Sequence, residues 1–227
     1  MPIYESEPAN YEQKCLCVLV LDTSGSMNYP AGNSAISQLN AGLKQFQQEL
    51  LLDAVTKDRL EIAIVTFDSN VNTIQGPELL TDFSMPNLSA NGTTALVDGI
   101  NEAIDIVTYR KHYYKSHGIP YYRPWIVMMT DGDPDSNQDV DGMAQRLKDA
   151  NDRKEFVFIP IGVGNSINEE VMRKLATSAF PPVKMQAVKF CEFFTWLSNS
   201  MSTLSTSEGG EMRVEDPSSW LDNMITS

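Results

Sequence analysis

Four short apolar runs, separated by longer segments with helical spacing, constrain the fold of this 227-residue chain most strongly. The runs are CLCVLVL (15–21), LEIAIVTF (60–67), WIVMMT (125–130) and FVFIPIGVG (156–164). Because they are apolar on both faces, they are typical of strands in a sheet that is covered on both sides. In the other segments apolar residues recur at three- and four-residue intervals, which predicts helices near 34–53, 91–110, 139–153, 168–178 and 191–204.

The alternation of strands and helices predicts an α/β fold of the doubly wound type. Strand–helix–strand units join parallel strands through right-handed crossovers, so we expect a mostly parallel sheet with helices on both faces. VNTI (71–74) follows the second run after a short polar turn, which predicts one short antiparallel edge strand, and MQAVKF (185–190) is interpreted as the last strand. We therefore divide the chain into a polar lead-in (1–13), one α/β domain (14–206) and an acidic C-terminal tail (207–227).

The tail carries the pattern of one short amphipathic helix. Asp216 followed by Pro217 is typical of a helix start, because Asp caps the N-terminus and Pro suits the first helical position. One apolar face would then be formed by Trp220, Leu221, Met224 and Ile225. A helix of about ten residues is marginal alone in water. We therefore expect it to dock on its own domain or on a second copy, and homo-oligomers through the tail stay an open alternative.

The charge of the chain disfavours two classes of partner. The formal net charge is −13, from 17 Lys and Arg against 30 Asp and Glu, which disfavours binding to nucleic acid and to anionic membranes. Only the segment 109–124 is basic and aromatic. Such a segment can stack on single-stranded nucleic acid. We favour its interpretation as a helix end with favourable cations, followed by a connection that its prolines order.

The N-terminus and the cysteines indicate a cytoplasmic protein. The first residues, MPIYESEPANYEQK, contain no apolar signal-peptide core, and no apolar run approaches the roughly 18 residues of a membrane span. We interpret Cys15 and Cys17 as reduced core thiols on the first strand. Together with Cys191 and two histidines they form no zinc signature.

Polar residues gather in three segments that the predicted fold brings to one edge of the sheet. Functional loops of a doubly wound sheet lie at the carboxyl ends of its strands, where the strand order reverses. The segments are DTSGS (22–26), GTTAL (92–96) and TDGD (130–133). They offer only oxygen ligands, which suit a hard divalent cation, with Mg²⁺ favoured over Mn²⁺ or Ca²⁺. The candidate ligands are Asp22, Ser24, Ser26, Thr94 and Asp131, with Thr93 as the alternative to Thr94.

The charge of this ligand set predicts what else the metal would bind. Two carboxylates and three neutral hydroxyls place little excess negative charge around the ion. If the carboxylates act through water, the direct protein ligands are neutral and the cation stays electrophilic. We therefore expect it to take an anionic ligand from outside, such as an Asp or Glu carboxylate of a protein partner.

The three motifs DTSGSM, GTTAL and MMTDGDPD resemble those of von Willebrand factor A (vWA) domains, in the same order and over roughly residues 14–204. The resemblance implies a metal-ion-dependent adhesion site, which pairs D-x-S-x-S with a distant Thr and a distant Asp. It implies Asp22, Ser24, Ser26, Thr94 and Asp131 as metal residues. It also favours Thr94 over Thr93, because family patterns place the ligand just before Ala-Leu.

Within the family, GIPYYRPWIVMMTDG (118–132) is most similar to the cytosolic bacterial type, including the tellurium-resistance TerY-type proteins. This resemblance implies a bacterial stress-resistance system with a kinase or a phosphatase as partner.

An enzyme is the alternative that we disfavour. Phosphotransferases of the haloacid-dehalogenase type also place an Asp after the first strand and bind Mg²⁺, but they usually need a second acid where this chain has Ser24. No G-x-S-x-G motif occurs, and His112 and His117 are expected in a loop at the opposite edge. Two further acids, Asp133 and Asp135, are interpreted as solvated loop residues, with a second cation site or a role around the first one as alternatives.

Overall fold

The computed structural model describes residues 8–29, 34–164, 167–185, 189–206 and 221–224, with no side-chain description for 204–206 and 221–224. One sheet contains seven strands in the spatial order β3-β2-β1-β4-β5-β6-β7. In chain order they are β1 (Cys15–Asp22), β2 (Leu60–Phe67), β3 (Val71–Leu79), β4 (Trp125–Thr130), β5 (Val157–Val163), β6 (Val183–Met185) and β7 (Leu221–Met224). The chain leaves β1 to one side and returns on its other side at β4, which makes the sheet doubly wound.

The pairing of the strands confirms the predicted α/β class. β1 runs parallel to both β2 and β4, and the parallel order continues through β5 to β6. The predicted antiparallel edge strand is confirmed at β3, which starts at Val71 and extends to Leu79. The parallel arrangement of these five strands places the ends of β1, β2 and β4 at one edge, as the site prediction requires.

In the part of the chain that the structure describes, six α-helices cover the two faces of the sheet. They are α1 (Ala35–Leu52), α2 (Thr56–Arg59), α3 (Leu96–Ser116), α4 (Val140–Asp152), α5 (Glu169–Leu175) and α6 (Phe190–Thr206). Alternate residues of β1 point to opposite faces. Leu16, Val18 and Val20 lie in the core with α3, α4 and α5. Leu19 and Leu21 lie in the core with α1 and α6. The sheet is therefore buried on both sides, which explains its continuously apolar strands.

The helix predicted for the tail is wrong over residues 221–224, whereas these residues do dock on their own domain, as expected. Leu221–Met224 form strand β7, which pairs antiparallel with β6, and not part of a helix. An open sheet edge offers backbone hydrogen bonds over a whole strand, whereas a short helix alone is marginal. The sheet consequently has a second antiparallel edge strand. Trp220, the helix start at Asp216 and the oligomer contact through the tail lie outside the described residues.

The last strand was also misplaced by the sequence pattern. We predicted it over 185–190, but β6 ends at Met185 and Phe190 already begins α6. Phe190, Phe193, Phe194 and Leu197 are buried at helical spacing in the core that contains α1. Their burial on one helix face outweighs the β preference of the segment.

The cysteines agree with their prediction. Cys15 and Cys17 are free and buried, and burial raises the pKa of the Cys15 thiol to about 12. Among the described residues, no helix has the length and apolar character that would be needed to cross a membrane.

The basic aromatic segment is mostly internal structure. Helix α3 continues to Ser116, so His112 lies on the helix and not in the predicted loop. Arg110 donates from Nε and Nη2 to both carboxylate oxygens of Glu61, each at 2.7 Å, and the Tyr114 hydroxyl donates to the same carboxylate at 2.6 Å. Glu61 is buried at the start of β2. Arg110 is therefore part of a buried ion pair, and the prediction of a helix end with a favourable cation agrees with Lys115, which lies in the last turn of α3.

Candidate metal centre

The site is built at the carboxyl ends of β1 and β4, where the two strands lie side by side. Asp22 is the last residue of β1 and is fully buried. Its Oδ2 accepts a hydrogen bond of 2.6 Å from the hydroxyl of Thr130, the last residue of β4. The parallel register pairs Leu21 with Met129, which brings these two end residues together. The neighbouring strand thus fixes the orientation of the first candidate ligand.

After Asp22 the chain turns into a short 3₁₀ helix, Gly25–Asn28, with Ser24 at its N-cap and Ser26 within it. The Ser24 N–H donates to Asp22 Oδ1 at 2.7 Å, and the Ser24 and Ser26 hydroxyl oxygens are 2.9 Å apart. Ser26 Oγ donates to Asp131 Oδ1 at 2.6 Å. A continuous row of oxygen atoms therefore leads from Asp22, through both serines, to Asp131. Ser24 is buried and Ser26 is exposed, so the row opens to the surface.

The loop that contains both threonines is held against the β1 loop by backbone hydrogen bonds. Asn91 N–H donates to Thr23 C=O at 2.8 Å, and Gly25 N–H donates to Gly92 C=O at 3.1 Å. Gly92 has a φ of +75°, a left-handed conformation that favours glycine. A Cβ at this position would also lie 2.6 Å from Ser69 Oγ. The glycine therefore allows the threonine loop to approach the turn between β2 and β3, which contains Ser69, closely.

The two threonines have different surroundings. Thr94 is buried, and a Cβ placed on Gly132 would lie 3.9 Å from its Oγ1 and 3.6 Å from Ser26 Oγ. Thr94 and Ser26 thus share the narrow space above Gly132, next to Asp131. Thr93 is exposed, and its hydroxyl donates to Asp135 Oδ2 at 2.7 Å. The structure brings Thr94, and not Thr93, to the row of oxygens.

The carboxylates lack a cation of their own. Desolvation by burial raises the pKa of Asp22 to about 6, against the hydrogen bonds from Ser24 and Thr130 that lower it. Burial also raises the pKa of Asp131, while the Ser26 hydroxyl lowers it. Within the described part of the chain, none of the ion pairs includes Asp22 or Asp131. Asp22 and Asp131 therefore lie close together, burial disfavours their ionised forms, and neither forms an ion pair with a described basic side chain.

The donor set fits a hard divalent cation. It contains carboxylate and hydroxyl oxygens only, without the sulfur or imidazole ligands that softer metals prefer. A divalent ion would supply the positive charge that Asp22 and Asp131 lack. The residues that would hold it are Asp22, Ser24, Ser26, Thr94 and Asp131.

Sequence reasoning missed two contributors and misjudged a third. Thr130 lies in the TDGD segment but had no assigned role, and its hydroxyl donates to Asp22. Ser69 accepts a hydrogen bond from the Thr93 N–H, a contact between segments that are distant in sequence. Asp135 was interpreted as a solvated acid, but both of its carboxylate oxygens accept hydrogen bonds from the threonine loop. Asp133 is exposed, as expected. His117 follows α3 on the way to the start of β4, at the opposite edge of the sheet.

Comparisons with known structures show the same fold at low sequence identity. The pilus adhesin SpaC from Lactobacillus rhamnosus GG aligns with a TM-score of 0.65 at 12% identity, over 86% of this chain and 31% of that chain. BatB, a conserved hypothetical protein from Bacteroides thetaiotaomicron, aligns with a TM-score of 0.57 at 18% identity, over 85% of this chain and 99% of that one.

A third structure, proximal thread matrix protein 1 from the mussel byssus with a zinc-occupied MIDAS motif, aligns with a TM-score of 0.54 at 18% identity. The alignment covers 86% of this chain and 46% of that protein, so the chain spans about half of its length. A comparison with curated protein sequences gives no match. The model of the von Willebrand factor type A domain matches residues 17–193, and the chain therefore belongs to this family.

Proposed function

We propose that this protein is a non-enzymatic interaction module, which binds an Asp or Glu carboxylate of a protein partner through a divalent metal ion. The observation that carries the proposal is the row of oxygens from Asp22 to Asp131. It has acidic groups and an exposed end, and no ion pair of the described residues includes either acid. Protein–protein interaction is the general role of the family. The partner's carboxylate and its binding through a metal ion are what we propose for this protein.

The geometry supports an external anion as the final ligand. Asp22 Oδ1 and Oδ2 already accept hydrogen bonds from Ser24 N–H and Thr130, so Asp22 is well placed to act through a water molecule. The serine and threonine hydroxyls are neutral. A cation held mainly by neutral groups keeps a strong attraction for a carboxylate. Because Ser26 is exposed, a partner side chain can reach this end of the site.

We propose Mg²⁺ as the metal, with Mn²⁺ and Ca²⁺ as alternatives. Carboxylate, hydroxyl and water oxygens suit these three ions, and the small octahedral Mg²⁺ usually keeps several waters. The zinc in the mussel byssus protein is a property of that protein. Mg²⁺ would supply the charge that makes the ionised form of Asp22 favourable in its buried position.

The same contacts argue against a hydrolase. A phosphotransferase of the haloacid-dehalogenase type would need an acid at position 24, where Ser24 Oγ instead lies beside Ser26 Oγ. A serine nucleophile would need a base, and His112 and His117 belong to the opposite edge of the sheet. We therefore expect no turnover of an aryl phosphate above a buffer blank. Turnover that disappears in Ser24→Ala would favour the enzyme.

A finer proposal concerns the cellular context. The similarity of residues 118–132 to TerY-type proteins supports a role in the cytoplasm of a bacterium, in a stress or tellurium-resistance system with a kinase or phosphatase partner.

The test compares two neighbouring acids. Asp131→Ala and Asp133→Ala are compared with wild type. Both substitutions lie in the same loop, and each removes one negative charge. We expect wild type and Asp133→Ala to be stabilised against heat by millimolar Mg²⁺ and to retain a common partner on affinity capture, only without EDTA. Asp131→Ala should lose both effects, because a ligand of the native state stabilises it by mass action. Equal shifts in all three proteins would contradict the proposal.

A further inference from the structure

Asp135 lies four residues after Asp131 and contacts the threonine loop through three hydrogen bonds. Its Oδ2 accepts from the Thr93 hydroxyl at 2.7 Å and its Oδ1 accepts from the Thr94 N–H at 3.2 Å. Its own N–H donates to the Thr94 carbonyl at 3.0 Å. Thr94 is thus held on both sides of its peptide backbone by one residue that is 41 positions away in sequence.

These contacts decide which threonine faces the metal site. Asp135 and Ser69 together engage the Thr93 hydroxyl and the Thr93 N–H. None of the hydrogen bonds among the described residues uses the Oγ1 of Thr94, which remains near Ser26 and Gly132. Without Asp135, Thr93 would keep only its hydrogen bonds to Ser69 among the described residues, and the backbone of Thr94 would lose its two hydrogen bonds to Asp135.

The surrounding contacts do not replace this hydrogen-bond bridge. The remaining backbone bonds tie the two ends of the threonine loop to its neighbours, through Asn91 and Gly92 to the β1 loop and through Ala95 N–H to Asp68 C=O. Asp135 acts on the middle of the loop and joins it to the segment that begins at Asp131. It therefore couples the positions of two candidate ligands, Thr94 and Asp131.

We propose that Asp135 is a positioning residue of the metal centre, which holds Thr94 in the orientation that a divalent cation requires. The inference rests on the proposed function, because it assigns Asp135 a role toward that metal. Asp135 is not proposed as a ligand, because its carboxylate contacts the threonine loop and not the row of oxygens from Asp22 to Asp131. Removing such a supporting group typically weakens metal binding by about 10- to 100-fold.

Three variants separate positioning from charge. Asp135→Ala removes the bonds and the charge. Asp135→Asn removes the charge but keeps an oxygen for the Thr94 N–H and an amide that can donate to the Thr93 hydroxyl. Asp133→Ala removes a charge from the same loop at an exposed position. The readouts are the Mg²⁺ dissociation constant by calorimetry and the hydrogen exchange rate of the Thr94 amide in metal-free protein by NMR.

We expect Asp135→Ala to weaken Mg²⁺ binding by at least ~10-fold and to accelerate exchange of the Thr94 amide. Asp135→Asn and Asp133→Ala should bind Mg²⁺ within about threefold of wild type, a small change because neither loses the bridge. An equal loss of affinity in all three variants would show a charge effect and overturn the positioning role of Asp135, but not the proposed function. A wild-type affinity or a wild-type exchange rate in Asp135→Ala would also overturn the positioning role. Absence of Mg²⁺ binding by wild type would instead overturn the proposed function, and the positioning role with it.

Discussion

Two buried carboxylates at opposite ends of the sheet have opposite surroundings. Glu61, at the start of β2, is paired with Arg110 through two hydrogen bonds and receives a third from Tyr114. Asp22, at the end of β1, receives hydrogen bonds from Ser24 and Thr130 but has no cationic partner among the described residues. The comparison teaches that this fold can supply an internal cation where a carboxylate serves stability. At Asp22 no ion pair supplies such a cation within the described residues, and we propose that a metal ion takes that place.

The largest effect is expected when the internal pair is broken. The Arg110 and Glu61 side chains are only 11% and 4% exposed, so Arg110→Ala leaves a buried charge without its partner. Removing one member of a buried pair typically costs about 3–5 kcal/mol. We expect a loss of this size in the free energy of unfolding, measured by urea denaturation, with an unchanged response of the melting temperature to Mg²⁺. A loss below about 1 kcal/mol would mean that Glu61 does not depend on Arg110.

The second expectation is a gain of stability at Asp22 without metal. Since burial raises the pKa of Asp22 to about 6, the native state binds this proton more tightly than the unfolded state does. The protonated Asp22 side chain therefore contributes to stability below about pH 4, and this contribution is lost as the pH rises through about 6. In EDTA at pH 7.5, Asp22→Asn should therefore be more stable than wild type by roughly 2–3 kcal/mol.

The same variant reverses the comparison when metal is added. Mg²⁺ should stabilise wild type and leave Asp22→Asn unchanged, because the amide cannot supply the negative charge. At pH 4 in EDTA the two proteins should unfold with similar free energies. If Asp22→Asn were less stable than wild type in EDTA at pH 7.5, the ionised Asp22 carboxylate would not destabilise the metal-free protein, and the expectation would be wrong.

The smallest effect is expected at an exposed pair of the same residue types. Arg59 donates to Glu12 at 2.9 Å, but these side chains are 27% and 52% exposed. Solvent screens such pairs, which typically contribute below about 1 kcal/mol. Urea denaturation of Arg59→Ala should show a change of this size, and it serves as the control for Arg110→Ala. Equal losses in both variants would mean that burial does not distinguish the two ion pairs.

Much of this arrangement could be predicted from the sequence because its signals are local. The apolar runs marked β1, β2, β4 and β5, and the polar residues directly after β1 and β4 marked Asp22, Ser24, Ser26 and Asp131. Strand ends that share an edge must bring such residues together. The preference for Thr94 over Thr93 came from family resemblance, and the contacts of Thr93 with Asp135 and Ser69 now supply its physical reason.

The rest depends on contacts that no local pattern encodes. Asp135 and Asp133 are alike in sequence, and only the fold shows that Asp135 meets the threonine loop while Asp133 is exposed. Glu61 and Arg110 are 49 residues apart and look like ordinary surface charges. For β7 the apolar spacing predicted a helix, and the free edge of β6, which the local pattern does not show, favoured a strand instead.

A crystal structure of the protein grown with Mn²⁺, with data collected for anomalous scattering, tests the central claim most directly. Mn²⁺ shares the oxygen ligands of Mg²⁺ and can be located by its anomalous signal. We expect one peak within bonding distance of the Ser24 and Ser26 hydroxyls, with Thr94 and Asp131 beside it and a water or a foreign carboxylate as a further ligand. No peak at this position would contradict the account, and so would an ion enclosed entirely by carboxylates of this chain.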